Sequence, residues 1–157
     1  MNFDWLIVDG YSLLYRAGPP PGRDEGLRFS LARDALVRRL ERLAGCIASR
    51  VTVVFDGRSE HVAPGEIAAG PVEVLFSSGS LTADSVIERL VATASDAARI
   101  TVVSSDRRER ETVEAAGARS LSCGDFLALC DAAERDLARA RPNRPPRRVT
   151  LGDVFPW

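Results

Sequence analysis

Three short apolar runs in this chain each end on an aspartate, and that arrangement restricts the possible folds more than any other feature. Trp5-Leu6-Ile7-Val8 leads into Asp9-Gly10, Val51-Thr52-Val53-Val54-Phe55 into Asp56-Gly57, and Ile100-Thr101-Val102-Val103 into Ser104-Ser105-Asp106. The runs are continuous rather than alternating, the pattern of strands buried on both faces of a parallel sheet. A further strand is expected at 72–76 and a weaker one at 118–121. Helical patterns lie between them. Leu27, Leu31, Ala35, Leu36, Leu40 and Leu43 recur at three- and four-residue spacing, the stripe of an amphipathic helix. Thr82-Ala83-Asp84 opens another helix through Val86, Ile87, Leu90 and Val91, with Thr82 as its N-cap. A charged helix is expected over 107–116, stopping at Gly117, and a last one over 124–140. Residues 11–26, with Gly18, Pro19, Pro20, Pro21, Gly22 and Gly26, read as an irregular surface segment. Residues 58–71 read as a loop over one sheet edge, carrying His61 as an ordinary surface histidine. Strands alternating with helices give an α/β chain, a three-layer fold with a mainly parallel central sheet of about five strands flanked by helices.

The chain's 157 residues, 45% of them hydrophobic, fit one domain with its own core. Its expected extent is 1–140, followed by a basic, Pro-rich tail over 141–157 that carries Arg141, Arg144, Arg147 and Arg148 and ends in Phe155 and Trp157. Met1 to Val8 is too short and lacks the charged start of a signal peptide, and no stretch approaches the roughly 20 apolar residues of a membrane span. A soluble, cytoplasmic protein is expected. Cys46, Cys123 and Cys130 are odd in number and form no C-x-x-C pair, so they read as reduced thiols, mostly in the core, rather than as disulfides or zinc ligands. The net charge of −1 means that a nucleic-acid partner would be met by local patches. All 21 basic residues are arginine. One patch, Arg33, Arg38, Arg39 and Arg42, reads first as a solvated helix face.

The lack of lysine excludes a P-loop NTPase and a phosphoacceptor receiver domain, both of which rely on that residue. A dinucleotide-binding strand-turn-helix is disfavoured, because Asp9-Gly10-Tyr11-Ser12 stands where G-x-G-x-x-G belongs. What remains is the acidic edge. In open α/β sheets ligands bind outside the carboxyl ends of the strands, where Asp9, Asp56 and Asp106 follow strands directly and Asp84 lies in the first turn of a helix. Carboxylates gathered there repel unless a cation compensates, and hard oxygen donors with almost no histidine suit Mg²⁺ or Mn²⁺ rather than zinc. Such a site orients a water on a phosphodiester, which points to hydrolysis of a nucleic-acid backbone. Each aspartate also has a purely local explanation. Asp106 with Glu109 has the pattern of a capping pair, Asp84 suits a helix dipole, and Asp56-Gly57 suits a turn. The argument for a site rests on their convergence.

Leu6-Ile7-Val8-Asp9-Gly10-Tyr11, Val53-Val54-Phe55-Asp56, Thr82-Ala83-Asp84 and Ser105-Asp106 together resemble the NYN domain of the YacP-like family, over about residues 4 to 137 and in the family's order. That family is similar in fold to PIN and FLAP-nuclease-type domains. The resemblance implies a divalent-metal-dependent endoribonuclease with Asp9, Asp84 and Asp106 as metal ligands and Asp56 as a supporting acid. It also implies RNA, specifically messenger RNA, as substrate and the ribosome as a partner. The family usually has asparagine where this chain has Ser12, whose hydroxyl is able to hydrogen-bond a phosphate or a ligand carboxylate. Tyr11, Arg33 and Arg107 complete the expected substrate-binding set, Tyr11 reading first as a core-edge aromatic and second as a base-stacking platform, and the two arginines equally as phosphate holders and as partners of neighbouring acids. The alternative, from a different functional class, is a non-catalytic RNA- or ribosome-binding module that keeps the fold.

Overall fold

Each apolar run of the sequence becomes a strand of one parallel sheet. The computed structural model describes residues 2–17, 25–57 and 70–140, with the side chains of 25–29 outside that description. In chain order the elements are β1 (Phe3–Asp9), α1 (Gly10–Ala17), α2 (Glu25–Ile47), β2 (Ala48–Phe55), β3 (Val72–Phe76), α3 (Ala83–Thr93), β4 (Ile100–Val103), α4 (Arg107–Ala115), β5 (Arg119–Leu121) and α5 (Cys123–Ala140). The sheet order is β3-β2-β1-β4-β5, and every pairing is parallel. Val8 sits between Val53 of β2 and Val103 of β4, so β1 is the central strand. The chain moves outward in one direction through β2 and β3, and in the other through β4 and β5. The cleft where the order reverses, beyond the carboxyl ends of β1 and β4, is the place where such sheets bind ligands.

Continuous apolar strands are explained by the two cores they serve. Leu6, Val8, Val53 and Phe55 face one layer, against Leu13 of α1, Leu36, Leu40 and Leu43 of α2, and Phe126 and Cys130 of α5. Ile7, Val54 and Val102 face the other, against Ala83, Ile87 and Val91 of α3 and Val113 of α4. Fully burying one such aliphatic side chain contributes about 1.5–3 kcal/mol, so removing either helical layer would expose a whole sheet face. Thr82 caps α3 as expected, its side chain accepting from the Ser85 N–H at 3.2 Å.

The three-layer α/β architecture agrees with the sequence reading. The main difference is α1, a helix where an irregular segment was expected. The Gly- and Pro-rich composition of 18–26 dominates that window, but Leu13 and Leu14 are buried and hold the preceding residues helical. β1 and β2 are longer than their apolar cores, and β2 starts directly after α2. Cys123 and Cys130 are buried, whereas Cys46 is exposed. His61, most of the loop over 58–71 and the 141–157 tail lie outside the described residues. No described helix is long and apolar enough to cross a membrane.

Candidate metal centre

Asp9 is the last residue of β1, and Gly10 is the first of α1. The strand turns into the helix there because position 10 has no side chain: a Cβ on Gly10 would lie 2.3 Å from the Phe55 ring. Asp9 is only 7% exposed and binds the helix it precedes. The Ser12 N–H donates to its Oδ1 at 3.4 Å, and the Ser12 hydroxyl donates to its Oδ2 at 3.0 Å. Ser12 therefore fixes the orientation of the central carboxylate.

Asp84, in the first turn of α3, and Glu109, in the first turn of α4, converge on it. One carboxylate oxygen from each of Asp9, Asp84 and Glu109 lies within 4.8 Å of the other two. Glu109 is 3% exposed. Its Oε2 accepts from the Ser104 hydroxyl at 2.6 Å, and Ser104 is held in turn at the end of β4, its N–H donating to the Leu121 carbonyl. The other oxygen, Glu109 Oε1, is buried with no hydrogen-bond donor. Burial pushes the Glu109 carboxyl up to about 9, with the charges of Asp9 and Asp84 adding to the rise. Asp9 is likewise raised, chiefly by burial, while hydrogen bonds with Glu109 and Ser12 oppose the shift. An undonated oxygen among three acids requires either a shared proton or a cation. All three donors are hard oxygens on separate elements, a set that fits a Mg²⁺- or Mn²⁺-type ion.

Of the residues expected from sequence, the structure thus brings Asp9 and Asp84 together and adds Glu109. It does not bring Asp106 into this cluster. Asp106 is exposed and caps α4, its Oδ1 accepting from the Arg108 N–H at 2.9 Å. Glu109 does not return the bond as a capping pair would, but turns inward with Val113, four residues on. Sequence reasoning missed its role because the Asp-x-x-Glu spacing had a sufficient local explanation. The available signal was that Glu109 and Val113 share the inner face of a helix that is otherwise almost wholly polar. Asp56 is half-buried and also outside the cluster, its Oδ1 accepting from the buried Ser77 hydroxyl at 3.2 Å. The adjacent Gly57 is required by close approach, since a Cβ there would meet the Ser77 carbonyl oxygen at 2.3 Å.

Tyr11 packs edge-on against Phe55, with centroids 5.5 Å apart, the core-edge arrangement. Arg33 lies over the Phe76 ring at 5.4 Å and 3.8 Å from Asp34. Arg107 is exposed and pairs with Glu111 at 3.3 Å. Burial pushes the Cys123 thiol up to about 11; the charges of Asp9 and Glu109 add to this, and those of Arg110 and Arg16 oppose it. That thiol therefore stays protonated and is no nucleophile near neutral pH.

The family model for the YacP-like NYN domain matches residues 6–152. The chain belongs to that family. It is 31% identical over 155 residues to the uncharacterised protein YacP of Bacillus subtilis (strain 168), an alignment covering 96% of this chain and 91% of the relative. The crystal structure of Rae1 (YacP) from Bacillus subtilis superposes with a TM-score of 0.70 at 32% identity, covering 87% of this chain and 79% of that one. Its W164L mutant gives 0.68 at 31% identity, covering 87% and 80%. This YacP-like chain therefore combines a nuclease-like fold with a buried acidic cluster able to hold a divalent cation.

Proposed function

We propose that the protein is a divalent-metal-dependent ribonuclease that hydrolyses RNA phosphodiester bonds at the Asp9–Asp84–Glu109 cluster. The observation that carries this reading is the undonated, buried Glu109 Oε1 set against two further carboxylates where a parallel sheet reverses its strand order. Asp9, Asp84 and Glu109 would hold a Mg²⁺ or Mn²⁺ ion, which would supply an activated water and offset charge on the phosphoryl oxygens. The chain's own residues do the rest. Ser12 keeps the Asp9 carboxylate turned toward the cleft, Ser104 does the same for Glu109, and Asp84 closes the third side from α3. Asp106 and Asp56 stand outside the cluster on the same sheet edge, where Asp106, one turn before Glu109, would add negative charge beside a bound ion. Tyr11 and Ser12 stand on the first turn of α1, beside the path of the substrate.

The finer form of the reading is endonucleolytic cleavage of messenger RNA in the cytoplasm, in association with the ribosome. It is supported by membership of the YacP-like NYN family.

The test is cleavage of a labelled single-stranded RNA by purified protein with Mn²⁺, with Mg²⁺ and with chelator, alongside Asp9→Asn and Asp84→Asn. Metal-dependent internal cuts, abolished by chelator and by both substitutions, are expected. RNA binding indifferent to metal, with no cleavage by the wild type, would overturn the enzyme in favour of a binding module.

A further inference from the structure

The helical layer formed by α2 and α5 is open at the amino end of the sheet. Phe3 at the start of β1, Cys46 and Ile47 at the end of α2, and Leu129, Ala133 and Leu137 of α5 line a groove of about 320 Å³ there. Asp9 stands at the other end of β1, so this groove is separate from the acidic cluster. Its lining is mostly apolar, yet Phe3, Leu129, Ala133 and Leu137 are only half-buried. On α5, Phe126 and Cys130 are buried by the core, whereas the apolar stripe continues through Leu129 and Leu137 without full cover. A concave apolar surface in water is stabilised by whatever covers it.

The chain itself supplies a cover. Ala140, the last residue of α5, is part of the lining, so residues 141–157 continue from the groove's own rim. Their sequence divides in two. Pro142, Pro145 and Pro146 are poor helix residues, and Arg141, Arg144, Arg147 and Arg148 make the first part polar. Val149, Leu151, Val154, Phe155 and Trp157 make the second part apolar. Extended, the span 141–148 reaches about 25 Å at about 3.1 Å per residue, and the helix from Leu129 to Ala140 is about 16 Å long at about 1.5 Å per residue. The apolar part is therefore within reach of every lining residue. Asp136, also in the lining, is exposed and in no ion pair among the described residues, an open acid for a segment that carries four arginines. The family model extends to residue 152, so the YacP-like pattern includes Val149 and Leu151 and not only the described sheet and helices. Tethered at Ala140, the segment meets the groove at a high effective concentration that a free partner lacks.

We propose that residues 149–157 dock in this groove of their own chain, with Phe155 and Trp157 as the apolar anchors, and so clasp the end of α5 to α2 and β1. The clasp acts on the amino end of the sheet. It is independent of what the acidic cluster cleaves.

Cys46 reports the state of the groove. It lies in the lining, and Cys123 and Cys130 are buried, so a maleimide distinguishes it by rate. The experiment compares Cys46 labelling in the whole wild-type chain and in the same chain carrying Phe155→Ser and Trp157→Ser, with circular dichroism as the check on folding. The emission of Trp157 is taken as the difference between wild type and Trp157→Phe. The doubly substituted chain is expected to label at least about tenfold faster and to melt about 4 °C lower. Trp157 is expected to emit at shorter wavelength than a hydrated indole, at every protein concentration. Equal Cys46 rates in the two folded proteins would overturn the docking, as would Trp157 emission at the wavelength of a hydrated indole. Protection of Cys46 that disappears on dilution would give the groove to a second copy and overturn the clasp. Loss of RNA binding by the double variant at an unchanged Cys46 rate would make the segment an arm for RNA and overturn it as well. If the double variant fails to fold, Trp157 emission and the dilution series on wild type decide.

Discussion

The two ends of the parallel sheet treat charge in opposite ways. At the amino ends of β1, β2 and β3, opposite charges meet and are paired. Arg50 donates to both oxygens of Glu73 at 2.7 and 3.0 Å, its guanidinium lies 3.8 Å over the Trp5 ring, and Thr52 links Glu73 to the Trp5 indole N–H. The Arg50 guanidinium beside Glu73 holds that carboxyl below its ordinary value. At the carboxyl ends, like charges meet. Asp9, Asp84 and Glu109 crowd together with no cationic side chain among the described residues bonded to them, and Glu109 is driven up to about 9. The first arrangement stabilises the fold. The second weakens the empty fold, and that cost is sensible only where something from solution offsets it.

The largest expected effect comes from relieving the acidic end. Glu109→Gln should lower metal-dependent cleavage by at least about a hundredfold, while raising the ion-free melting temperature at pH 8 by about 4 °C. Parallel calorimetry and cleavage assays would reveal a structural role instead if both quantities fell together.

Next in size is the pH dependence of the ion. Glu109 holds its proton more tightly folded, at about 9, than its ordinary value of 4.5. Its contribution to ion-free stability is therefore fully present below 4.5 and is lost as pH rises through about 9. Binding an ion displaces that proton, so Mn²⁺ affinity should tighten up to about tenfold per pH unit between 6 and 8. Isothermal titration in two buffers of different ionisation enthalpy would report the released proton; a flat affinity would refute the shared-proton account of the cluster.

A smaller effect is expected at Ser12. Ser12→Ala removes the hydroxyl bond to Asp9 Oδ2, worth about 1 kcal/mol, and should reduce kcat/KM about fivefold, with Ser12→Asn restoring it. The smallest effect on cleavage belongs to the paired end. Arg50→Ala should cost about 1 kcal/mol in urea unfolding, as befits a half-exposed ion pair and ring contact, and leave cleavage within about twofold. Loss of activity there would erase the contrast between the ends.

The sheet was readable because its three inner strands are continuous apolar runs leading to aspartates, and Asp9 and Asp84 were readable because strand ends and helix first turns in such a sheet share an edge. Glu109 was not, since its distance from Asp106 matches a local cap and burial of an acid is a tertiary fact. The helix α1 was obscured by the glycines and prolines that follow it in the sequence; burial of Leu13 and Leu14, not propensity, keeps it wound.

No residue separates β1 from α1, and that junction governs how the cluster responds to a load. Asp9 has no hinge beneath it, being clamped by the central strand on one side and by Ser12 on the other. Asp84 follows the 77–82 connection between β3 and α3, where the Ser77 N–H donates to the Phe55 carbonyl and the Leu81 N–H to the Ser78 carbonyl. Asp9 is therefore the fixed reference of the cluster: an ion held there would be registered to the central strand of the sheet, whatever the reach of the acids on α3 and α4.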